Sequence, residues 1–328
     1  MRNQPGEKSH KGKKDVALPP KLSFQYVQHV LTETLLEFLV RRFRYHDAPE
    51  WEKRIKDGHV RVNGKRAPGD RLLRTKDRII YQPPPAPEPP VDFTYRVLYE
   101  DDHLLAVEKS GNIPTSPSGK YWHHCLVHHL MRDRGLEELH AVHRLDRETS
   151  GVNLFAKHRR AAGVLGKDFQ MGRVVKEYLA LLQGCFPHRI TLISAPLRNN
   201  VGGLVHIRQE VHPEGRPAET SLRLLAYLPG ASLVRISPRT GRTHQIRAHA
   251  AYLGHPIIGD KLYGRKESEF IEWVEHGERN STERQYLHAS RLEVSHPEDG
   301  ANLDIRSSGE GMIQLLLQKD KAIQTSGG

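Results

Sequence analysis

A single carboxylate in a basic loop is the residue of this 328-residue chain best placed to do chemistry. Residues 143–151 read HRLDRETSG, so Asp146 lies between Arg144 and Arg147 at a turn before an apolar stretch. Turns lie at the surface, where a side chain can reach a ligand. Either arginine can hold the carboxylate ionised, ready to act as a nucleophile or a base. The alternative is an ordinary ion pair on a surface loop.

A tyrosine in a later strand has two interpretations. Residues 174–182 read VVKEYLALL, which is typical of a strand, and Tyr178 lies at its centre. Strand aromatics are commonly half-buried core residues. A tyrosine ring can also stack on a base that has been extruded from its RNA.

A basic turn followed by a helix forms the third candidate region. Residues 237–249 read SPRTGRTHQIRAH. We expect Thr243 to cap the helix and Gly254 to end it. Arg239, Arg242 and the N-terminus of the helix together suit an RNA phosphate.

Four histidines and a cysteine cluster in a helix predicted around residues 123–129. Histidines spaced four residues apart share a helical face and can bind a metal, which would suit a metal-dependent hydrolase. No carboxylate or second cysteine is suitably spaced nearby. A polar helix face near RNA is therefore the favoured interpretation, and no metal is expected.

Together these motifs resemble those of the RluA-type pseudouridine synthases. HRLDRETSG is similar to the motif of the family's catalytic Asp, KEYLA to that of a Tyr that contacts the target base, and RTGRTHQIR to that of an Arg that pairs with the Asp. The resemblance implies that Asp146, Tyr178 and Arg247 are catalytic residues of an isomerase that converts uridines of rRNA or tRNA to pseudouridine. It also implies a mixed, mostly antiparallel sheet, hence an α+β fold. The reaction gains no group and changes no oxidation state, so no cofactor is expected.

Basic residues are unevenly distributed, and several are candidate RNA contacts. The first 78 residues carry +9 of the net charge of +11, which indicates a polyanionic partner. The predicted contacts are Arg144, Arg147, Arg239, Arg242, Lys109, Lys53 and Arg54. The alternative is a basic face that binds nothing in particular. A non-catalytic RNA-binding or ribosome-assembly factor would share this charge pattern without a working site.

The chain order predicts two folded parts joined by a stiff spacer. Residues 1–20 form a basic disordered tail, and residues 21–82 form a small α/β module with an Asn63-Gly64 hairpin turn. This module resembles the RNA-binding unit shared by a small-subunit ribosomal protein and many RNA-modifying enzymes. Residues 83–90 are a proline-rich linker, 91–310 the catalytic domain, and 311–328 a C-terminal helix and tail.

Composition indicates the cellular compartment of the protein. Only two cysteines are present, which argues against a disulfide framework and favours a reducing compartment. No apolar run approaches the length that spans a membrane, and the N-terminus lacks a secretory h-region. We therefore expect a soluble, cytoplasmic monomer whose partner is RNA and which does not bind membranes.

Overall fold

The computed structural model describes residues 22–27, 32–43, 46–84, 87–187, 189–200, 205, 207–276, 284–311 and 314. The chain forms two compact units, residues 1–89 and 90–328. The predicted N-terminal tail lies outside the described residues, as does all of the predicted C-terminal helix and tail apart from residues 311 and 314. No helix in the described ranges is long and apolar enough to cross a bilayer.

The first unit packs two helices on a three-stranded antiparallel sheet of order β1-β3-β2. Its elements are β1 (Leu22–Gln25), α1 (Leu35–Arg42), α2 (Ala48–Lys56), β2 (Val60–Val62) and β3 (Arg78–Tyr81). A capping box at Thr34 begins α1, and Asp47 caps α2. The sequence pattern did not predict β1, because this four-residue strand is defined only by its pairing with the distant β3.

The Asn63-Gly64 turn forms, but it does not lead into the strand that pairs with β2. Both residues have positive φ, 52° and 79°, as a two-residue hairpin turn requires. The turn is closed by a reciprocal Val62–Lys65 backbone pair, after which the chain leaves the sheet. The partner of β2 is β3, which follows after a long loop.

The second unit is built on a ten-stranded sheet with helices on both faces. The described strands of this unit, which include two outside the large sheet, are β4 (Tyr95–Glu100), β5 (Leu104–Lys109), β6 (His140–Ala141), β7 (Ser150–Ala156), β8 (Val175–Gln183), β9 (Ile190–Ser194), β10 (Leu197–Asn199), β11 (Gln209–Val211), β12 (Glu219–Leu228), β13 (Ala231–Pro238), β14 (Leu287–Ser295) and β15 (Asn302–Arg306). Its helices are α3 (Leu126–Arg134), α4 (Arg159–Gln170), α5 (Gln245–Tyr252) and α6 (Glu267–His276).

The strand order is β4-β5-β7-β14-β8-β13-β12-β9, with β6 paired to β7 and β15 to β14, while β10 and β11 form a separate hairpin. All described pairs in this sheet are antiparallel except β7–β14, which is parallel. The α+β fold with a mixed, mostly antiparallel sheet is therefore confirmed.

Alternate residues of β5 show why both faces of the sheet are covered. Leu104 and Ala106 pack into the cluster that contains α4, whereas Leu105 and Val107 pack into the cluster that contains α3. A strand segment buried on both faces is apolar, as the first four residues of β5, 104–107, are. The helices therefore fix the central strands from two sides, and loops at the strand ends remain free to form a site.

Candidate active site

The Asp146 loop connects β6 to β7 and is held by buried hydrogen bonds. The Leu145 amide donates to Thr115 Oγ1 at 3.1 Å, and Thr115 donates to Asn153 Oδ1 at 2.8 Å. The Thr149 amide donates to the Asp146 carbonyl at 3.1 Å, which closes the turn. The Asp146 backbone is therefore fixed by the loop without use of its carboxylate.

Lys109 helps to hold this loop instead of binding RNA. It is fully buried, and its Nζ donates to the carbonyls of Ser110, Ile113 and Arg147 at 2.8–2.9 Å. All three ammonium protons are thus used inside the protein. Burial, the largest cause, and nearby Arg284 lower the pKa of Lys109. The sequence-based prediction that Lys109 contacts RNA is therefore wrong.

Asp146 is paired with an arginine from a distant helix. Arg247 Nη1 donates to Asp146 Oδ2 at 2.8 Å, and the same guanidinium binds Asp260 through Nε at 2.6 Å and Nη2 at 2.9 Å. Asp260 Oδ1 also accepts from the amides of Leu262 and Tyr263. The fork grip on the fully buried Asp260 orients Arg247 so that its remaining nitrogen points at Asp146.

The charges around Asp146 keep it ionised. Burial alone favours the neutral acid, but Arg247, with a smaller effect from Arg144, outweighs it and lowers the pKa of Asp146. Burial also works against the charge of Arg247, yet Asp260 and Asp146 raise its pKa. Both groups of the pair are therefore charged at neutral pH.

The turn before α5 differs from the predicted one. Thr243 does not cap the helix, because His244 is the residue before its first turn, in a left-handed conformation with φ of 51°. The turn is instead held by Gln245, whose Oε1 accepts from Thr240 Oγ1 and the Arg242 amide. Gly254 follows the last helical turn with φ of 81°, as predicted.

His244 and Tyr263 complete the surroundings of Arg247. The guanidinium lies 5.1 Å from the centroid of the Tyr263 ring, a cation–π distance. His244 Nδ1 lies 3.2 Å from the Tyr263 hydroxyl, and its Nε2 lies 3.9 Å from Asp146 Oδ2. Burial and then Arg247 lower the pKa of His244 to about 4, so the imidazole is neutral.

His143, adjacent to the Asp146 loop, has a structural role. Its Nε2 accepts from the Leu154 amide at 3.0 Å, and its ring stacks on Phe169 with centroids 4.9 Å apart. Burial, and to a smaller extent Lys176, lowers its pKa to about 3. A neutral imidazole fixed in this way anchors the loop and is not placed to act as an acid.

Tyr178 lies at the centre of β8, opposite Ile236 of β13 and Ala289 of β14. Its ring lines the same cavity as Asp146. Burial raises the pKa of the Tyr178 hydroxyl, and Asp146 raises it further. A neutral aromatic ring thus lines the same cavity as the Asp146 carboxylate, on a strand that is paired with β13 on one side and β14 on the other.

A cleft of about 760 Å³ contains all three residues implied to be catalytic. This volume falls in the range of about 300–1,000 Å³ common for ligand sites. Among its lining residues in the described part of the chain, Asp146 is the sole carboxylate. Six cations line the cleft: Arg144, Lys176, Arg216, Arg239, Arg242 and Arg247. Its electrostatic character suits a polyanionic ligand.

The predicted RNA contacts have different environments. Arg144 is exposed at the cleft, and Arg239 is exposed there while paired to Glu219 at 2.6 Å. Arg242 lines the cleft and donates to the Pro217 carbonyl. Arg147 is instead turned towards Tyr121 and Glu148, at 2.6 and 2.9 Å. Its predicted pairing with Asp146 is not found in the structure.

The two candidate contacts in the first unit also differ from each other. Lys53 is exposed on α2. Arg54 is half-buried, donating to the Tyr81 hydroxyl at 2.7 Å and pairing with Glu50 at 2.8 Å. Its guanidinium is therefore used in packing the unit.

The predicted histidine cluster is not a single helical face. α3 begins at Leu126 after Cys125, so only His128 and His129 of the group lie within it. No three His, Cys, Asp or Glu side chains come together as a candidate metal site in the ranges that the structure describes.

Sequence reasoning assigned no role to two residues that line the cleft and two that surround Arg247 and His244. These are Lys176, His244, Asp260 and Tyr263. Asp260 follows Gly259, whose φ of 77° and close approach to the Arg284 backbone exclude a side chain. The Gly-Asp pair was therefore a usable signal of a tight turn that presents a carboxylate.

Comparison with known proteins identifies the family. The family described as RNA pseudouridylate synthase matches residues 103–252. The ribosomal large subunit pseudouridine synthase C of Vibrio cholerae is 34% identical over 81% of this chain and 86% of its own. The protein of the same name from Escherichia coli K12 is also 34% identical, over 81% and 86%.

A solved structure supports the same conclusion. Human RNA pseudouridylate synthase domain containing 1 superposes with a TM-score of 0.54 at 28% identity, covering 67% of this chain and 86% of that one. With its Asp–Arg pair, aromatic ring and cationic cleft, the chain belongs to the RluA-type RNA pseudouridylate synthases, isomerases that act on RNA.

Proposed function

We propose that this chain isomerises specific uridines of ribosomal RNA to pseudouridine, with Asp146 as the catalytic carboxylate. The observation that carries the proposal is the ionised Asp146, bound through one oxygen by Arg247 in a cationic cleft beside Tyr178. Ribosomal RNA is preferred to tRNA because the relatives with 34% identity are named for the large ribosomal subunit.

The reaction requires a charged carboxylate at its first step. The N1–C1′ bond of uridine breaks, a C5–C1′ bond forms, C5 loses a proton and N1 gains one. Attack on C1′, addition to C6 and removal of the 2′ proton are the three available first steps. Each begins with an ionised carboxylate, which the Asp146–Arg247 pair supplies.

The uracil must be retained while it is detached and turned. A base has to leave its stack before an enzyme can reach its glycosidic bond, and an aromatic side chain can then hold it by stacking. Tyr178 supplies such a ring next to the carboxylate. Its neutral hydroxyl adds no charge to repel the anionic ligand.

The basic residues that are exposed or line the cleft are the proposed RNA contacts. Arg144, Arg239 and Arg242 surround the cleft and bind phosphates of the substrate. Lys53, exposed in the module of residues 21–82, adds a phosphate contact, so the module contributes affinity to the catalytic domain of residues 91–310. One chain supplies Asp146 and its partners, and we propose a monomer that works on ribosomal RNA in the cytoplasm.

Mapping pseudouridine in cells tests the catalytic assignment. Large-subunit ribosomal RNA from cells without the gene, complemented with wild type or Asp146→Ala, is treated with carbodiimide and read by primer extension. We expect wild type to restore at least one stop and Asp146→Ala to restore none. Asp304→Ala is the matched control, because Asp304 is also an arginine-paired carboxylate, bound by Arg291 and Arg306, but lies outside the cleft.

The alternatives give different results. Stops with Asp146→Ala equal to wild type end the catalytic claim. If gene-dependent primer-extension stops are found only in tRNA, tRNA replaces ribosomal RNA as the proposed substrate. Ribosomal RNA binding without any stop in wild type supports the non-catalytic assembly factor.

A further inference from the structure

Lys176 is a cleft residue to which the family resemblance assigned no role. It lies on β8 two residues before Tyr178, so the two side chains leave the strand on the same side. Both line the cleft. The Lys176 ammonium is half-buried and donates to the Thr240 carbonyl at 3.0 Å.

The charge of Lys176 is not compensated within the described part of the chain. No carboxylate there lies within ion-pairing distance of its ammonium, whereas Arg247 has two acids and Arg239 has Glu219. Burial accordingly lowers the pKa of Lys176, with no acidic neighbour to oppose it. A half-buried cation without a counter-ion costs free energy, and that cost falls when a ligand brings negative charge.

The ammonium lies close to the basic turn that lines the cleft. A Cβ built on the exposed Gly241 would lie 3.9 Å from Lys176 Nζ, which places the ammonium directly behind the turn between Arg239 and Arg242. An ammonium has three donors, and the Thr240 carbonyl takes one of them. The remaining donors can reach an anion that enters beside Tyr178.

We propose that the Lys176 ammonium binds a phosphodiester of the nucleotide that enters the cleft. This inference rests on the proposed function, since it names a contact to the same RNA substrate. Lysine binds phosphate as a point charge, without the bidentate geometry of arginine. Its contribution is therefore to substrate binding and positioning and not to the bond changes at C1′.

Steady-state kinetics on an unmodified large-subunit ribosomal RNA transcript tests the assignment. We expect Lys176→Met to raise KM about tenfold, as for loss of a charge-assisted hydrogen bond, with kcat changed less than about threefold. Loss of one phosphate contact should also flatten the plot of log(kcat/KM) against log salt concentration by about 0.7–0.9. Lys176→Arg, which keeps the charge, should restore most of this slope.

Lys157→Met is the matched control. Lys157 is also half-buried, but its ammonium is paired with Glu100 at 2.7 Å and lies outside the cleft. Removal of either charge can lower stability, whereas only the change at Lys176 should alter the salt slope. Filter-binding of the same transcript to Asp146→Asn, with and without Lys176→Met, repeats the measurement without catalysis.

The outcomes separate this inference from the proposed function. An active wild type whose KM and salt slope are unchanged by Lys176→Met overturns the phosphate assignment and leaves the function intact. A fall in kcat alone also overturns it, because that result assigns Lys176 to chemistry. An inactive wild type refutes the function, while the filter-binding slope still decides the phosphate contact.

Discussion

The two carboxylates that bind Arg247 come from different loops and have different surroundings. Asp260 is fully buried, and its two oxygens accept four hydrogen bonds from Arg247 and from two backbone amides. Asp146 is 27% exposed, and Arg247 binds only its Oδ2, while the cleft lies open to the rest of the group. The same guanidinium therefore binds a structural acid on one side and the proposed catalytic acid on the other.

This contrast teaches what makes a carboxylate available for chemistry. Four donors and complete burial leave the Asp260 carboxylate out of reach of a ligand. Asp146 is held in place by its backbone turn, so its carboxylate needs only one bond to be kept ionised. Substitutions of Asp260, Asp146 and Arg247 should therefore have different effects on stability and on activity.

The largest expected effect comes from removing the structural acid. Asp260→Asn leaves a buried Arg247 without its main partner, so the free energy of unfolding should fall by about 3–5 kcal/mol. Asp146→Asn should lower it by about 1 kcal/mol, because Arg247 keeps its fork on Asp260. Urea unfolding followed by circular dichroism measures both.

Asp304→Asn provides the surface control for this pair. Asp304 is 31% exposed, so losing its arginine contacts should cost less than about 1 kcal/mol. If Asp260→Asn proved no more destabilising than Asp304→Asn, the structural role of Asp260 would be refuted.

A smaller effect is expected when the shared guanidinium is replaced by a point charge. Lysine cannot grip Asp260 with two nitrogens and reach Asp146 with a third, so Arg247→Lys should misplace the positive charge. We expect kcat/KM to fall about a hundredfold, the size of effect that a misplacement of about 1 Å produces. Discontinuous pseudouridine assays measure kcat/KM for both proteins. An unchanged kcat/KM would show that a positive charge at position 247 is enough for activity.

The smallest effect is expected from pH. The pKa of Asp146 lies below its ordinary 3.8, so the carboxylate is ionised at every pH above about 4, and its stabilising contribution is lost only as pH falls through the lowered folded value. The logarithm of kcat/KM should therefore show no acid limb from Asp146 between pH 4.5 and 7.

Removing the Arg247 guanidinium should make the acid limb of the kcat/KM profile measurable. In Arg247→Met, burial raises the pKa of Asp146 without its main opposing charge. The acid limb should then move to higher pH. A wild-type limb near pH 6 would contradict the assignment, because the neighbouring His244, with a pKa of about 4, is not expected to titrate there.

The sequence predicted the fold class and the members of the central pair, but only through motifs. Asp146 and Arg247 are 101 residues apart, and no periodicity indicates that they meet. Their proximity follows from the order of β7, β14, β8 and β13 in the sheet, which is a property of the whole unit. Asp260 was given no role for the same reason, because the partners of a residue inside a turn depend on what the turn packs against.

The errors concern residues whose neighbours override their type. Lys109 was predicted to contact RNA, and lysines are usually exposed, but three carbonyls of the folded loop bind its ammonium in the core. Arg147 follows Asp146 directly, yet its side chain reaches Tyr121 because successive residues of the turn point in different directions. Thr243 was the better capping residue by type, but Gln245 ties the turn instead.

The position of β14 has a consequence for how the protein is made. This strand pairs with both β7 and β8, and its Ala289 fits against Gly151, where any side chain would collide with the backbone. A nascent chain that has not yet released residues 287–295 cannot join β7, which follows the Asp146 loop, to β8, which carries Tyr178. The Asp146 loop and the Tyr178 ring are therefore brought together late in synthesis, in one long-range pairing step.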